Sequence, residues 1–193
     1  MKILFHHIGI IYTPFKELVG MPIQPAGRAG FKEHVEVFEE FRKGLKDLDG
    51  FSHIILLYLF HRSQTYKLQT KPFMDSELRG VFATRAPNRP NPIGFSVVQL
   101  NRIENGTLHI TNVDILNGTP LLDIKPYVPE FDTYSEIKTG WIEKARKTVS
   151  RRRSDDRFEW GYDNPSYKTI LTDSVFPSTV KIMLKYLLLI RLF

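Results

Sequence analysis

Short apolar runs separated by turn-forming residues dominate residues 1–127 of the chain. Runs of this length that are rich in β-branched and aromatic side chains are typical of β-strands. The pattern predicts six strands, at residues 4–12, 52–60, 80–84, 95–103, 107–113 and 121–127. Asn105 and Gly106 stand between two of these runs and predict a tight hairpin, because both residue types accept a positive φ.

One amphipathic helix is predicted before the carboxyl-terminal region, at residues 38–48. Phe38, Phe41, Leu45 and Leu48 fall on one helical face there, and an Asp-Gly pair follows. Many short strands joined by tight turns favour a mostly β domain, a barrel or a sandwich, over a doubly wound sheet. No G-x-G-x-x-G follows a strand in the sequence, which argues against a Rossmann-type nucleotide-binding domain.

Residues 80–96, GVFATRAPNRPNPIGFS, form the most unusual polar stretch of the chain. Each proline fixes φ and restricts the residue before it, so this loop is predicted to be stiff. It holds Arg85, Asn88, Arg89 and Asn91 in fixed directions, which suits a carboxylate, a phosphate or a purine edge. The alternative is a rigid turn whose polar side chains only satisfy nearby carbonyl groups.

The string GVFATRAPNRPNPIG resembles the signature of the TsaA-like family, the TrmO-type tRNA methyltransferases that use S-adenosylmethionine. The likeness continues in HHIGIIYTPFK from residue 6, FSHIILLYLFHR from residue 51 and DILNGTPLLDIKPYVPEFD from residue 114. It implies an antiparallel β-barrel-like methyltransferase domain over residues 1–143, with few short helices and usually dimeric. The implied reaction is methylation of N6 of the threonylcarbamoylated adenosine immediately 3′ of the tRNA anticodon.

The resemblance also implies a cofactor site made from four segments. Its S-adenosylmethionine-contacting residues are Gln24, Pro25, Ala26, His61, Arg62, Arg85, Asp114, Ile115, Leu116 and Asn117. From chemistry alone, the Asp114 carboxylate suits the cofactor ammonium or a ribose hydroxyl, or it caps the turn before Gly118. His61 either lies at the edge of a site or is an ordinary strand-end histidine.

Methyl transfer needs the acceptor nitrogen in line with the methyl–sulfur bond, so positioning is expected to supply much of the acceleration. In the threonylcarbamoylated base N6 belongs to a urea, and a base or strong acceptor would help to form the nucleophile. Asn91, Asp123 and Tyr127 are the catalytic candidates, and Arg89 is the candidate for binding the substrate. The alternative for Asp123 and Tyr127 is one face of a strand that carries a surface ion pair. The six histidines show no metal-ligand spacing, so no metal site is predicted.

The positive charge is concentrated beyond residue 143. Residues 1–143 contain 16 of the 27 Lys and Arg and 16 of the 21 Asp and Glu, which leaves 11 and 5 in residues 144–193. This basic extension either docks tRNA or is a solvated linker. Its last residues, 182–193, are too short and too charged for a membrane span, and they predict a packing helix, a self-association segment or an interfacial anchor.

The chain has no cysteine, and its amino terminus has no secretory signal pattern, so the expected location is the cytoplasm. A second function remains open at this point. The same pocket would serve a module that binds S-adenosylmethionine or RNA without catalysis.

Overall fold

The computed structural model describes residues 3–17, 33–72 and 75–145. Most of the ordered elements are strands, as predicted. They are β1 (Gly9–Tyr12), β2 (His34–Val37), β3 (His53–Leu59), β4 (Gln69–Thr70), β5 (Arg79–Gly80), β6 (Ile93–Glu104), β7 (Thr107–Thr111) and β8 (Thr119–Pro126). Two single-turn helices follow, α1 (Pro129–Asp132) and α2 (Ile142–Ala145). The predicted carboxyl-terminal extension, from residue 146 on, lies outside the described residues.

Six of the strands close into an antiparallel barrel in the order β1-β2-β7-β6-β3-β8. Alternation along each strand sends every second side chain into the barrel, and these inward positions are almost all apolar. Ile11, Val35, Leu56, Val98 and Leu108 are fully buried there. The predicted antiparallel barrel-like, mostly β fold is therefore confirmed.

The hairpin between β6 and β7 forms where the sequence predicts it. Asn105 and Gly106 both have positive φ, of 51° and 84°, and this backbone twist matches the twist of the two strands that they join. β4 and β5 pair separately as a two-stranded sheet.

Three local predictions differ from the structure. The expected helix at 38–48 is two 3₁₀ segments, Glu39–Leu45 and Leu48–Gly50. The Phe41 amide donates to the Phe38 carbonyl three residues back, and Leu45 and Leu48 still pack on the core. The expected strand at 80–84 has strand pairing only at Gly80, and a 3₁₀ turn, Val81–Ala83, follows it. β2 was not predicted, although its four residues, HVEV, alternate polar and apolar side chains, which is the shortest pattern that indicates a strand.

Within the described part of the chain, no helix is long and apolar enough to cross a membrane.

Candidate functional site

An open pocket lies at the end of the barrel where β3 stops and β8 begins. Five residues predicted to contact the cofactor line it: His61, Arg62, Asp114, Ile115 and Leu116. The other lining residues are Tyr58, Phe60, Ser63, Pro87, Asn88 and Thr119. Segments separated by more than 50 residues in sequence therefore meet in one place.

The loop that carries Asp114 is fixed by hydrogen bonds to the chain that follows β1. Thr13 Oγ1 donates to the carbonyl of Ile115 at 2.8 Å, and the Thr13 amide donates to Asn117 Oδ1 at 3.0 Å. The Asn117 amide donates in turn to the carbonyl of Phe15. Asn117, predicted as a cofactor contact, therefore holds the pocket loop in place and is not among the residues that line the pocket.

His61 is a neutral imidazole in this pocket. Burial, reinforced by the adjacent Arg62 cation and opposed by a hydrogen bond with Leu59, lowers the pKa of His61 to about 4. Its Nδ1 lies 3.3 Å from Thr119 Oγ1, and that hydroxyl donates to the carbonyl of Leu116 at 2.7 Å. At neutral pH the imidazole is thus a hydrogen-bonding group without charge.

Arg62 lies at the pocket rim. Its Nη1 is 3.4 Å from Glu17 Oε2, and both side chains are substantially exposed, at 42% and 72%. An exposed ion pair of this kind contributes little to stability. The guanidinium is consequently a partly exposed cation at the entrance.

Asp114 is the acidic group of the pocket, and hydrogen bonds connect it to two buried hydroxyls. Ser96 Oγ donates to Asp114 Oδ1 at 2.8 Å, and Tyr58 Oη lies 3.0 Å from Ser96 Oγ. Burial raises the pKa of Asp114, while the Ser96 hydrogen bond and the Arg85 charge oppose that rise. Burial likewise raises the pKa of the Tyr58 phenol, so it stays protonated.

The proline-rich loop is held by its own side chains. Arg89 Nη1 donates to the carbonyls of Thr84 and Ala86, at 3.1 and 3.3 Å. Asn88 is buried, with 3% of its surface exposed, and its Oδ1 accepts a hydrogen bond from Ser63. The Arg85 guanidinium lies over the Phe95 ring, 5.5 Å from its centre. The loop is braced, and the Arg89 hydrogen bonds to nearby carbonyl groups are those of the alternative interpretation. The pocket-lining part of the loop is Pro87 and Asn88.

The three catalytic candidates do not converge within one chain. Asp123 pairs with Leu57 on the outer side of the barrel wall and forms an ion pair with Lys125 at 2.8 Å. The Tyr127 amide donates to the carbonyl of His53, at the far end of β3. Asn91 is exposed and precedes β6 at the pocket end. The length of β3, at 3.3 Å per residue, puts about 20 Å between this end and the level of Tyr127. Their catalytic roles remain predictions.

Gln24, Pro25 and Ala26, the other predicted cofactor contacts, lie outside the described residues. Four members of the site or its support were not predicted from the sequence: Tyr58, Ser63, Ser96 and Thr119. One signal was present for Ser96: it alternates with Val98 and Leu100 on the strand predicted at 95–103, so it is a lone hydroxyl on an apolar, inward face.

The pocket combines apolar walls with a carboxylate, a neutral imidazole and a guanidinium at the rim. Such a set suits a ligand that has an apolar or aromatic body and both an ammonium and a carboxylate. Among residues 3–17, 33–72 and 75–145, no cluster of three His, Asp or Glu has metal-binding geometry.

Comparison with known proteins agrees with this description. The chain is 52% identical over 158 residues to a probable S-adenosyl-L-methionine-binding protein of Pyrococcus abyssi, covering 82% of this chain and 86% of that one. It is 35% identical over 144 residues to a rat tRNA (adenine(37)-N6)-methyltransferase, covering 71% of this chain but only 33% of the rat protein.

A crystal structure of TrmO from Pseudomonas aeruginosa superimposes with a TM-score of 0.62 at 38% identity. The match covers 73% of this chain and 63% of that one, so the chain spans less than two thirds of the neighbour's length. Residues 10–133, from β1 through α1, match the family described as the tRNA-methyltransferase O N-terminal domain. The chain therefore belongs to the tRNA-methyltransferase O N-terminal domain family.

Proposed function

We propose that the protein is an S-adenosylmethionine-dependent methyltransferase that methylates N6 of the threonylcarbamoylated adenosine immediately 3′ of the tRNA anticodon. The observation that carries the proposal is the pocket, because five of the ten residues that the family resemblance implies for the cofactor line it. The names of the rat and P. aeruginosa relatives support the reaction. The name of the P. abyssi relative supports the cofactor.

The residues of the pocket fit S-adenosylmethionine chemically. The buried Asp114 carboxylate accepts hydrogen bonds, as the cofactor ammonium or ribose hydroxyls require. Arg85, close enough to lower the pKa of Asp114, supplies a cation for the cofactor carboxylate. Phe60, Ile115 and Leu116 provide apolar surface for the adenine. When bound, the cofactor supplies an electrophilic methyl group.

The chain's own task is then to orient the adenosine and to remove a proton from N6. Arg89 and Asn91 lie in the braced loop at the same end of the barrel as the pocket, so they are the residues that we assign to orienting the nucleoside. Asp123 lies opposite Leu57, two residues before the end of β3. Of the two candidates for accepting the proton, Asp123 and Tyr127, Asp123 is therefore nearer to the pocket end.

The protein is proposed to act as a homodimer, on the evidence of an apolar patch outside the barrel. Alternation places Leu57, Ile93, Phe95 and Val97 outward on β3 and β6, and we call this set the outer apolar face. Ile55 also points outward but is already buried within the chain. Phe95 and Ile93 are 42% and 36% exposed. Antiparallel strands usually present polar residues on a solvent-facing side, so a second copy of the chain is the proposed cover.

Such a dimer would bring a second chain close to the pocket. Arg85 packs on Phe95 of the outer apolar face and also lowers the pKa of Asp114, so it spans the distance between that face and the pocket. Asp123 shares the outer side of the barrel wall with Leu57. We also propose that the protein is cytoplasmic and that residues 144–193 dock the tRNA. Both proposals rest on the sequence.

The deciding experiment is transfer of labelled methyl from S-adenosylmethionine to tRNA, with and without the threonylcarbamoyl group. We expect methylation of the modified tRNA only, at the position 3′ of the anticodon, identified by nucleoside mass spectrometry. Transfer to unmodified tRNA at an equal rate would contradict the proposal that the threonylcarbamoylated adenosine is the substrate.

A binding module without catalysis is the second candidate. It is favoured by one observation, the separation of Asn91, Asp123 and Tyr127 within the single chain. Cofactor binding by calorimetry, combined with no transfer to verified threonylcarbamoylated tRNA, would select it.

A further inference from the structure

A row of three polar groups borders the pocket. Tyr58 and Asp114 both line it, and Ser96 lies between them and is hydrogen-bonded to each. Tyr58 and Ser96 are 4% and 5% exposed. Ser96 has one hydroxyl hydrogen, which it donates to the Asp114 carboxylate. The hydrogen between Tyr58 and Ser96 must therefore come from the phenol, so every donor in the row has a fixed direction.

The Tyr58 ring that begins the row is held on two sides. Tyr58 pairs with Gly94 across β3 and β6, and a Cβ at Gly94 would overlap the ring. Phe60 packs edge-on against the ring, with ring centres 5.5 Å apart and an interplanar angle of 82°. The phenol oxygen is thus fixed by packing as well as by its hydrogen bond.

We propose that Ser96 and Tyr58 are positioning residues, a hydroxyl relay that holds the Asp114 carboxylate ionised and aimed at the cofactor. The inference rests on the proposed function, because it assigns Asp114 to the ammonium or a ribose hydroxyl of S-adenosylmethionine. A hydrogen bond donated to a carboxylate favours its charged form, and the charged form is the better acceptor for both groups.

Four ionisable groups lie around this carboxylate: Arg85, Tyr58, His61 and Arg62. Burial raises the pKa of Asp114, and the Ser96 hydrogen bond, a backbone hydrogen bond at Asp114 and the Arg85 cation act against that rise. The Tyr58 phenol is neutral because burial and the Asp114 charge raise its pKa. His61 has its pKa lowered to about 4, so it is neutral above that pH, and Arg62 is a cation in the same pocket. Loss of Ser96 would leave the backbone hydrogen bond and Arg85 to favour the Asp114 anion.

The test follows the Asp114 carboxyl directly by ¹³C NMR titration, and S-adenosylmethionine affinity by calorimetry across the same pH range. Ser96→Ala is expected to raise the pKa of Asp114 by about one unit, which is the size of one lost hydrogen bond to a charged group. The acid-side fall in cofactor affinity should move upward with it. Tyr58→Phe keeps the ring and should produce a smaller rise in the same direction, because Ser96 still donates.

Ser52→Ala is the matched control, since its hydroxyl bonds only to exposed His53 at the other end of β3. It should change neither measurement. An Asp114 pKa that is the same in wild type and Ser96→Ala would overturn the relay, whatever the change in thermal stability. A shifted pKa together with unchanged cofactor affinity at every pH would overturn its role in binding. A wild-type protein that binds no S-adenosylmethionine would overturn the proposed function instead.

Discussion

Nδ1 of His61 lies 3.3 Å from Oγ1 of Thr119, whose own hydrogen is directed to the carbonyl of Leu116. The Thr119 oxygen is therefore an acceptor toward the ring, and Nδ1 carries the hydrogen of the neutral imidazole. His61 is thus held in one tautomer by Thr119. This hydrogen bond connects the end of β3 to the start of β8.

His61 should make folding stability depend on pH. Its pKa is about 4 in the folded chain and 6.5 when unfolded, so the unfolded state binds more protons between these values. Stability should fall as pH drops through this window, by about 3 kcal/mol in full. Urea unfolding of His61→Gln from pH 7.5 to 4.5 should show a flatter profile than wild type. His53→Gln, at the other end of β3, is the control, and equal slopes for His61→Gln and wild type would refute the assignment.

Gly94→Ala should destabilise the barrel. The added Cβ would overlap the Tyr58 ring, and overpacking of this kind costs about 1–3 kcal/mol. Gly50→Ala is the matched control, because nothing lies within 4 Å of the Cβ it would add. Chemical denaturation measures both. A Tyr58→Ala background should reduce the penalty at Gly94, and additive effects of the two changes would show that they do not touch.

Removing the Asp114 carboxylate of the pocket, or the Arg85 cation near it, should weaken cofactor binding. Asp114→Asn and Arg85→Ala each remove one partner of a charge-assisted hydrogen bond, a loss of roughly 10- to 100-fold in affinity. Titration calorimetry with S-adenosylmethionine at pH 7.5 gives the dissociation constants. Glu104→Gln, an exposed carboxylate at the β6–β7 hairpin, should have no effect. Unchanged affinity in both pocket variants would mean that the cofactor binds elsewhere.

Arg89→Lys should lower the methylation rate more than cofactor affinity. Arg89 reaches the carbonyls of Thr84 and Ala86 through its Nη1, and the ammonium of a lysine, on a differently shaped side chain, would not lie in the same place, so the loop and Asn91 would shift. A misplacement of about 1 Å can cost on the order of 100-fold in rate. Single-turnover transfer at saturating cofactor tests this. The control is Arg102→Lys, because the Arg102 side chain on β6 is exposed. A normal rate for Arg89→Lys would confine the loop to a structural role.

Ile93→Glu should dissociate the proposed dimer, because Ile93 is an exposed member of the outer apolar face. An unpaired charge buried in an apolar interface costs about 3 kcal/mol or more, which weakens association on the order of 100-fold. Analytical ultracentrifugation over a concentration series measures it. Leu4→Glu, 69% exposed before β1 at the opposite end of the barrel, should leave the assembly unchanged. A monomeric wild-type protein would remove the dimer from the proposal.

The strands that alternate over many residues could be predicted, and the short or bent segments could not. β3 and β6 lie within two residues of their predicted starts, and Asn105-Gly106 marks its hairpin. At 80–84 the apolar residues look like a strand, but the Thr84 amide and hydroxyl both return to the carbonyl of Val81, which closes a turn. Local hydrogen bonds of this kind leave no periodic signal in the sequence.

The site residues that lie in a recognisable motif could be predicted from the sequence. The site residues that only the strand register brings together could not. His61 and Asp114 are both in family-like segments, and the pocket contains both. Tyr58 and Ser96 meet only because β3 and β6 pair with Tyr58 opposite Gly94 and Leu56 opposite Ser96. A shift of one residue in that pairing would turn Ser96 to the outside, so its role depends on strand register.

Closure of the barrel has a consequence for how copies of the chain assemble. Each of the six barrel strands has a neighbour on both sides over at least part of its length, so the barrel has no edge strand that is unpaired along one whole side. Association through the barrel wall must then depend mainly on side chains. Substitutions on that wall are free to change the partner or the strength of assembly while the backbone ladder stays intact, which separates the evolution of quaternary structure from that of the fold.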